Sequence, residues 1–157
     1  MKPKPKLSMK HSKFISCKLY ISESRNAMAV DAIERASKSD AQVVVVSQFG
    51  DNHYNRFRYT LVSYIIDDRS TGEVIYSPIR KVLLAMIEAA FSTIDLESQS
   101  GAHPRIGVVD DLSFHPLGQA TMEDAASLAK QVASDIGNGL QGTSNVLGFQ
   151  KSALQLF

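Results

Sequence analysis

The sequence predicts an α+β domain: a ferredoxin-like split β-α-β sandwich, with helices on one face of a mostly antiparallel sheet. Three observations carry that expectation. Two stretches repeat apolar residues at i, i+3, i+4, i+7, i+8 and i+11, the spacing of a helix with one buried face. They are Leu83, Met86, Ile87, Ala90, Phe91, Ile94 and Ala125, Leu128, Ala129, Val132, Ala133, Ile136. Short runs of β-favouring residues lie between clusters of turn formers. The order that results is β-α-β-β-α-β-α, and its first six elements are the split pattern.

Each element has a local cause. Phe14 to Ile21 is rich in β-favouring side chains and predicts a first strand. Asn26, with Ser24 as the alternative, caps a helix whose narrow stripe is Ala29, Ala32, Ile33 and Ala36. Gln42–Ser47 holds four consecutive valines, which predicts a strand covered on both faces. Gly50 to His53 forms a turn, and Arg56 to Ile66 a third strand. Asp67 to Gly72 turns again before a short return strand, Glu73–Tyr76. Pro78 opens the long second helix where a missing amide costs nothing. Arg105 to Phe114 predicts the last strand. Thr121 caps the final helix with Asp124 at its third position, and Gly137 and Gly139 end it.

Charge divides the chain. It has 157 residues with 17 Lys+Arg and 16 Asp+Glu, a formal net charge of +1. Six lysines and no acid fall in residues 1–22, so the rest holds eleven basic and sixteen acidic side chains. The expected organisation is a flexible basic arm at 1–13, a domain at 14–141 and a divergent tail at 142–157. A body of net negative charge excludes a uniformly basic nucleic-acid-binding domain. The strands also lack the interleaved aromatics of an RNA-recognition sheet. No apolar run approaches a membrane span, so no membrane partner is expected. The single cysteine, Cys17, forms no internal disulfide and no zinc motif.

The stretch richest in chemistry is Gly101-Ala-His-Pro-Arg-Ile-Gly107, followed by Asp110. Histidine titrates near neutral pH and serves as proton donor or acceptor. Pro104 biases His103 towards an extended backbone, and Arg105 is a fixed cation suited to a carboxylate. A surface loop with a capping or solvated histidine is the other reading of the triplet. Asn55 and Arg56, at the mouth of the third strand, suit either a polar substrate or ordinary turn capping. No metal-ligand spacing, phosphate loop or nucleophile elbow is present.

Several blocks together resemble a known family. They are Ser92-Thr-Ile-Asp95, Gly101-Ala-His-Pro-Arg-Ile-Gly107, Asp110, Phe114-His-Pro116 and Ala120-Thr-Met-Glu-Asp124, in this order. Upstream, Tyr20-Ile-Ser-Glu-Ser24 and Asn55-Arg56 add weaker matches. From about Ile15 to Leu140 the chain resembles the amino-terminal subdomain of formiminotransferases. The resemblance implies transfer of a formimino group from N-formimino-glutamate to tetrahydrofolate, the co-substrate. It implies His103 as general acid/base, with Arg105, Asn55, Arg56 and Asp110 binding substrate. It also implies a second subdomain, folate in the cleft between the two, and a homodimer. The expected location is cytoplasmic, with organellar targeting by the basic arm as the alternative.

The sequence departs from the family pattern at Ala102, Tyr20, Ser24, Ser47 and Phe49. Tyr64–Tyr76 resembles an insertion, and the resemblance ends near Gly142. The lost polar positions define the competing expectation, a non-catalytic remnant that binds folate or another protein.

Overall fold

The computed structural model describes residues 12–98, 100–102 and 107–139. Along the chain run β1 (Lys13–Ile21), α1 (Ala27–Ser37), β2 (Val44–Asp51), β3 (Arg56–Tyr64), β4 (Ile66–Asp67), β5 (Val74–Tyr76), α2 (Ile79–Thr93), β6 (Val109–Gly118) and α3 (Met122–Gly139). Four strands form one sheet in the order β2-β3-β1-β6, and every neighbouring pair is antiparallel. This is the expected split β-α-β sandwich, with α3 added and the β4–β5 hairpin inserted. The basic residues 1–11 and the segment 140–157 lie outside the described residues.

Alternation along the strands builds the two faces. In β1, Ile15, Cys17, Leu19 and Ile21 are fully buried, and Tyr59 and Leu61 of β3 join them. Against this face pack Ala29 and Ile33 of α1, Leu83, Met86, Ile87 and Ala90 of α2, and Leu128, Val132 and Ile136 of α3. The predicted stripes are therefore the buried faces. The even-numbered residues of β1 and β3, including Tyr20, Arg56 and Arg58, point the other way, to a face that none of the described helices covers.

The caps follow side-chain chemistry. Asn26 Oδ1 accepts hydrogen bonds from the amides of Met28 (3.1 Å) and Ala29 (3.2 Å). Thr121 and Asp124 cap each other: the Asp124 amide donates to Thr121 Oγ1 at 3.1 Å, and the Thr121 amide donates to Asp124 Oδ2 at 2.9 Å. Asp124 is buried and also meets Lys13 Nζ at 3.1 Å, while Lys13 reaches Asp67 at 2.6 Å. One lysine thus joins β1, β4 and the start of α3.

Three expectations need correction. The valine run is not covered on both faces: β2 is an edge strand, and Val44 and Val46 are exposed. β-branching fixes an extended backbone but says nothing about which neighbours cover it. A register shift between Val45 and Ser47 breaks the alternation there. The last strand runs Val109–Gly118: Gly107 and Val108, inside the predicted strand, precede it, and 105–106 lie outside the described residues. Pro116 is compatible with it because β6 is the other edge. Finally, Gly137 lies inside α3, which continues to Gly139.

Candidate functional site

Three loops meet at one end of the sheet: β1–α1, the β2–β3 turn, and the α2–β6 connection. Asn55 joins them. It adopts a left-handed backbone (φ 53°), a region that asparagine tolerates better than most residues. Its side chain is buried; Oδ1 accepts from the amides of Ser24 (2.8 Å) and Arg25 (3.2 Å), and Nδ2 donates to the Ser100 carbonyl at 3.1 Å. Arg25 repeats the connection from outside. Its guanidinium donates to the carbonyls of Asn52 (2.7 Å), Ser100 (2.7 Å) and His53 (3.3 Å). Buried Glu23 holds the turn into α1, accepting from the amides of Arg25 (2.8 Å) and Asn26 (2.9 Å).

His103 and Arg105 lie outside the described residues. The flanks of that stretch are described, and both are tied down. On one side the Ala102 amide donates to the His53 carbonyl at 3.1 Å. On the other, Ser22 Oγ donates to the Gly107 carbonyl at 2.6 Å, and the Ser22 amide donates to the Val108 carbonyl at 2.9 Å.

Of the described candidates, Arg56 and Asp110 are brought together. Arg56 Nε stands 3.4 Å from Asp110 Oδ2, and the Asp110 carboxylate is almost completely buried. Asp110 reaches Arg56 because β6 shifts register here: Tyr20 pairs with Asp111, Ile21 with Val109, and Asp110 is the extra residue between. The Arg56 guanidinium lies 4.4 Å from the centre of the Tyr20 ring. Asn55 is adjacent in sequence, but its amide is occupied with the loops.

Beside this pair lies a cleft of about 200 Å³ lined by Tyr20, Phe49, Asp51, Tyr54, Arg56 and Arg58. Asp51 Oδ1 accepts from the amides of His53 (2.9 Å) and Tyr54 (3.0 Å), so its carboxylate organises the β2–β3 turn. Pattern reading did not single out Arg58, Tyr54 or Arg25. The signal for Arg58 was its spacing: two residues after Arg56 in a strand, it must share Arg56's face. Arg25 carries no such mark, because its partners are backbone carbonyls distant in sequence, and Tyr54 reaches the cleft through the turn that Asp51 holds. Two departures from the family pattern, Tyr20 and Phe49, line this cleft. Among the described residues, no three His, Cys, Asp or Glu side chains gather where they could hold a metal ion, and no helix is long and apolar enough to cross a membrane.

Comparison with known proteins agrees with the resemblance. The profile of the formiminotransferase domain, N-terminal subdomain, matches residues 14–155. A formiminotransferase cyclodeaminase-like protein of Arabidopsis thaliana is 42% identical over 132 residues, covering 84% of this chain and 42% of the relative. A glutamate formimidoyltransferase of Streptococcus pyogenes is 29% identical over 129 residues, covering 82% of this chain and 40% of the relative. A formimidoyltransferase-cyclodeaminase of Sus scrofa is 27% identical over 130 residues, covering 80% of this chain and 22% of the relative. The chain thus spans about two fifths or less of the length of these relatives. The match covers most of the chain, and the chain belongs to the formiminotransferase family, in its N-terminal subdomain.

Proposed function

We propose that the chain serves a formiminotransferase-type reaction: transfer of a formimino group from N-formimino-glutamate to tetrahydrofolate. In this reaction an amine of the folate attacks the formimino carbon, and the C–N bond to glutamate breaks. His103 acts as general acid/base, taking the proton from the attacking amine and returning one to the departing glutamate nitrogen. Arg105 and Arg56 hold substrate carboxylates, with Asp110 fixing the Arg56 guanidinium and Asn55 holding the loops in register.

The observation that supports this best is the anchoring of both flanks of residues 103–106. Ala102 is tied to His53 and Gly107 to Ser22, next to the Arg56–Asp110 pair. A proton-transfer group needs a fixed approach to its substrate, and these hydrogen bonds hold the residues on either side of the stretch. Membership of the family supplies the chemistry.

The second reading, a non-catalytic protein that binds folate or another protein, is favoured by Tyr20 and Phe49. They line the cleft with aromatic rings where the family pattern has polar groups.

Calorimetric titration with 5-formyltetrahydrofolate, followed by a formimino-transfer assay, separates the two. The first reading expects binding and turnover, with turnover lost and binding kept in His103→Ala. Binding without turnover supports the second reading, and no binding overturns the folate assignment altogether.

A further inference from the structure

The end of the sheet farthest from Arg56 carries a row of apolar side chains. Leu117 on β6 and Tyr64 on β3 are both direct cross-strand partners of Phe14 on β1. The Tyr64 and Tyr76 rings lie 6.1 Å apart, centre to centre, and Tyr76 on β5 pairs with Ile66 on β4. The row thus runs from β6 through the sheet to the hairpin. Phe14, Leu117, Tyr76 and Ile66 are each about two fifths exposed (37%, 41%, 45% and 40%). Single apolar side chains on a surface are ordinary, whereas a continuous row marks a binding surface. Phe14 is six residues from Tyr20 along β1, about 20 Å, so the row is separate from the cleft beside Arg56.

The frame that presents the row is fixed. The Ile65 amide donates to the Lys13 carbonyl at 3.0 Å, and Ser77 Oγ donates to the Tyr64 carbonyl at 2.8 Å. Val74 is fastened to α3 twice: its amide donates to Ser127 Oγ at 3.1 Å, and its carbonyl accepts from Gln131 Nε2 at 2.6 Å. The Lys13–Asp67 ion pair ties β4 to β1. Held in this way, the hairpin cannot turn its apolar side chains inwards, and another segment must cover them.

Composition selects that segment. Residues 140–157 hold one charged side chain, Lys151, against Val146, Leu147, Phe149, Leu154, Leu156 and Phe157. Such a balance favours burial over solvation. Residues 1–11 adjoin β1, but they carry four lysines and two prolines, and the row offers a cation no counter-charge. The end of α3 is also near: a Cβ on Gly139 would stand 3.4 Å from Leu84 Cδ1. Leu84 lies about 7.5 Å along α2 from Ile79, and only Ser77 and Pro78 separate Ile79 from the hairpin. Eighteen residues span up to about 60 Å, and the row is about 20 Å long.

We propose that the row formed by Leu117, Phe14, Tyr64, Tyr76 and Ile66 is the docking surface for the chain's own segment 140–157, whose apolar side chains around Phe149 and Leu154 cover it. The proposal goes beyond the transfer reaction; it involves neither His103 nor the Arg56 cleft, and the presence or absence of turnover leaves it unchanged.

The test is paramagnetic NMR on the full ¹⁵N-labelled chain with a nitroxide attached at Ser152→Cys. The native thiol, Cys17, is fully buried and leaves the label to position 152. Amide signals of residues 14, 64, 66, 76 and 117 are expected to be lost to broadening and to return when the nitroxide is reduced. Signals of residues 49, 51 and 58, at the other end of the sheet, are expected to keep most of their intensity. Tyr76→Asp, at a half-exposed position, is expected to restore the lost signals by placing a charge in the row. A mixture of nitroxide-bearing ¹⁴N chain with unlabelled ¹⁵N chain is expected to show no broadening. Four results overturn the proposal: full intensity along the row; broadening centred elsewhere; broadening in the mixture, which would assign the row to a second copy; or unaltered broadening in folded Tyr76→Asp. The first three decide the matter even if that variant does not fold.

Discussion

Gly101 lies so close to Tyr54 that a Cβ on it would stand 2.5 Å from the Tyr54 carbonyl oxygen and 2.9 Å from the Asn55 Cβ. The obstacle is backbone, held in turn by Asp51 and Arg25, so it cannot simply rotate aside. Glycine is required here by close approach. Gly101→Ala is expected to separate the α2–β6 connection from the β2–β3 turn and to destabilise the fold by about 1–3 kcal/mol. Urea unfolding measures the loss. An unchanged midpoint, with unchanged amide signals at residues 53–55, would refute the contact.

Asn55 supplies two separable effects, a tolerated left-handed backbone and a buried set of hydrogen bonds. Asn55→Ala loses both and should cost about 2–4 kcal/mol. Asn55→Gly removes the side chain but relieves the backbone, and should be less destabilised than the alanine variant by about 1 kcal/mol. Asn55→Asp keeps an acceptor for Ser24 and Arg25 but turns a carboxylate towards the Ser100 carbonyl. The expected order of unfolding midpoints is wild type, glycine, alanine. Alanine more stable than glycine would show that the backbone conformation contributes nothing.

Lys13 is the counter-ion of Asp124, a buried carboxylate at the start of α3. Lys13→Met should leave that carboxylate short of its cation and cost about 3 kcal/mol. The hydrogen bonds to Asp67 and Asp124 raise the Lys13 pKa above its ordinary value. A raised cation stabilises fully while the unfolded chain is also protonated, and the contribution is lost as pH rises through the folded value. The gap between wild type and Lys13→Met should therefore be constant from neutral pH to about pH 10 and shrink above it. Unfolding midpoints of the two proteins across that range test this, and a gap that widens with alkalinity contradicts it.

Residues show why some of the fold was legible in the sequence and some was not. The α2 and α3 stripes could be read because one helix face buries every third or fourth residue, whatever it packs against. The Thr121–Asp124 cap was legible because both partners lie within one turn. The edge position of β2 was not: the valines at 43–46 encode an extended chain, while exposure depends on whether another strand lies alongside. The start of β6 was misplaced because Ile106, Val108 and Val109 share β-propensity, and only pairing with β1 decides where the ladder begins. At the candidate site, Arg56 and Asp110 are distant in sequence and meet through a register shift that no local pattern announces. Asn55 suits turn or ligand by pattern, and its partners Ser24, Arg25 and Ser100 come from two other loops.

Tyr59 brings a hydroxyl into the core without giving it a partner. The residue is fully buried, its ring stacks on Phe57 at 4.6 Å between centres, and its Oη has no hydrogen-bond partner among the described residues. Tyr59→Phe keeps the ring and deletes the orphaned group, so it should leave stability unchanged or raise it by up to about 1 kcal/mol. Alkaline pH should enlarge the difference. Burial first, and then the negative charges of Glu34 and Asp31, push the Tyr59 pKa well above its ordinary value. Near neutrality both folded and unfolded chains keep the proton, and Tyr59 adds no pH dependence. Above about pH 10 the unfolded chain releases it while the folded chain retains it, so stability falls as pH rises. Tyr59→Phe lacks this loss. Urea midpoints of the two proteins between about pH 8 and pH 11 should therefore diverge, with the phenylalanine variant the more stable at the alkaline end; parallel curves would mean that Tyr59 ionises as readily folded as unfolded.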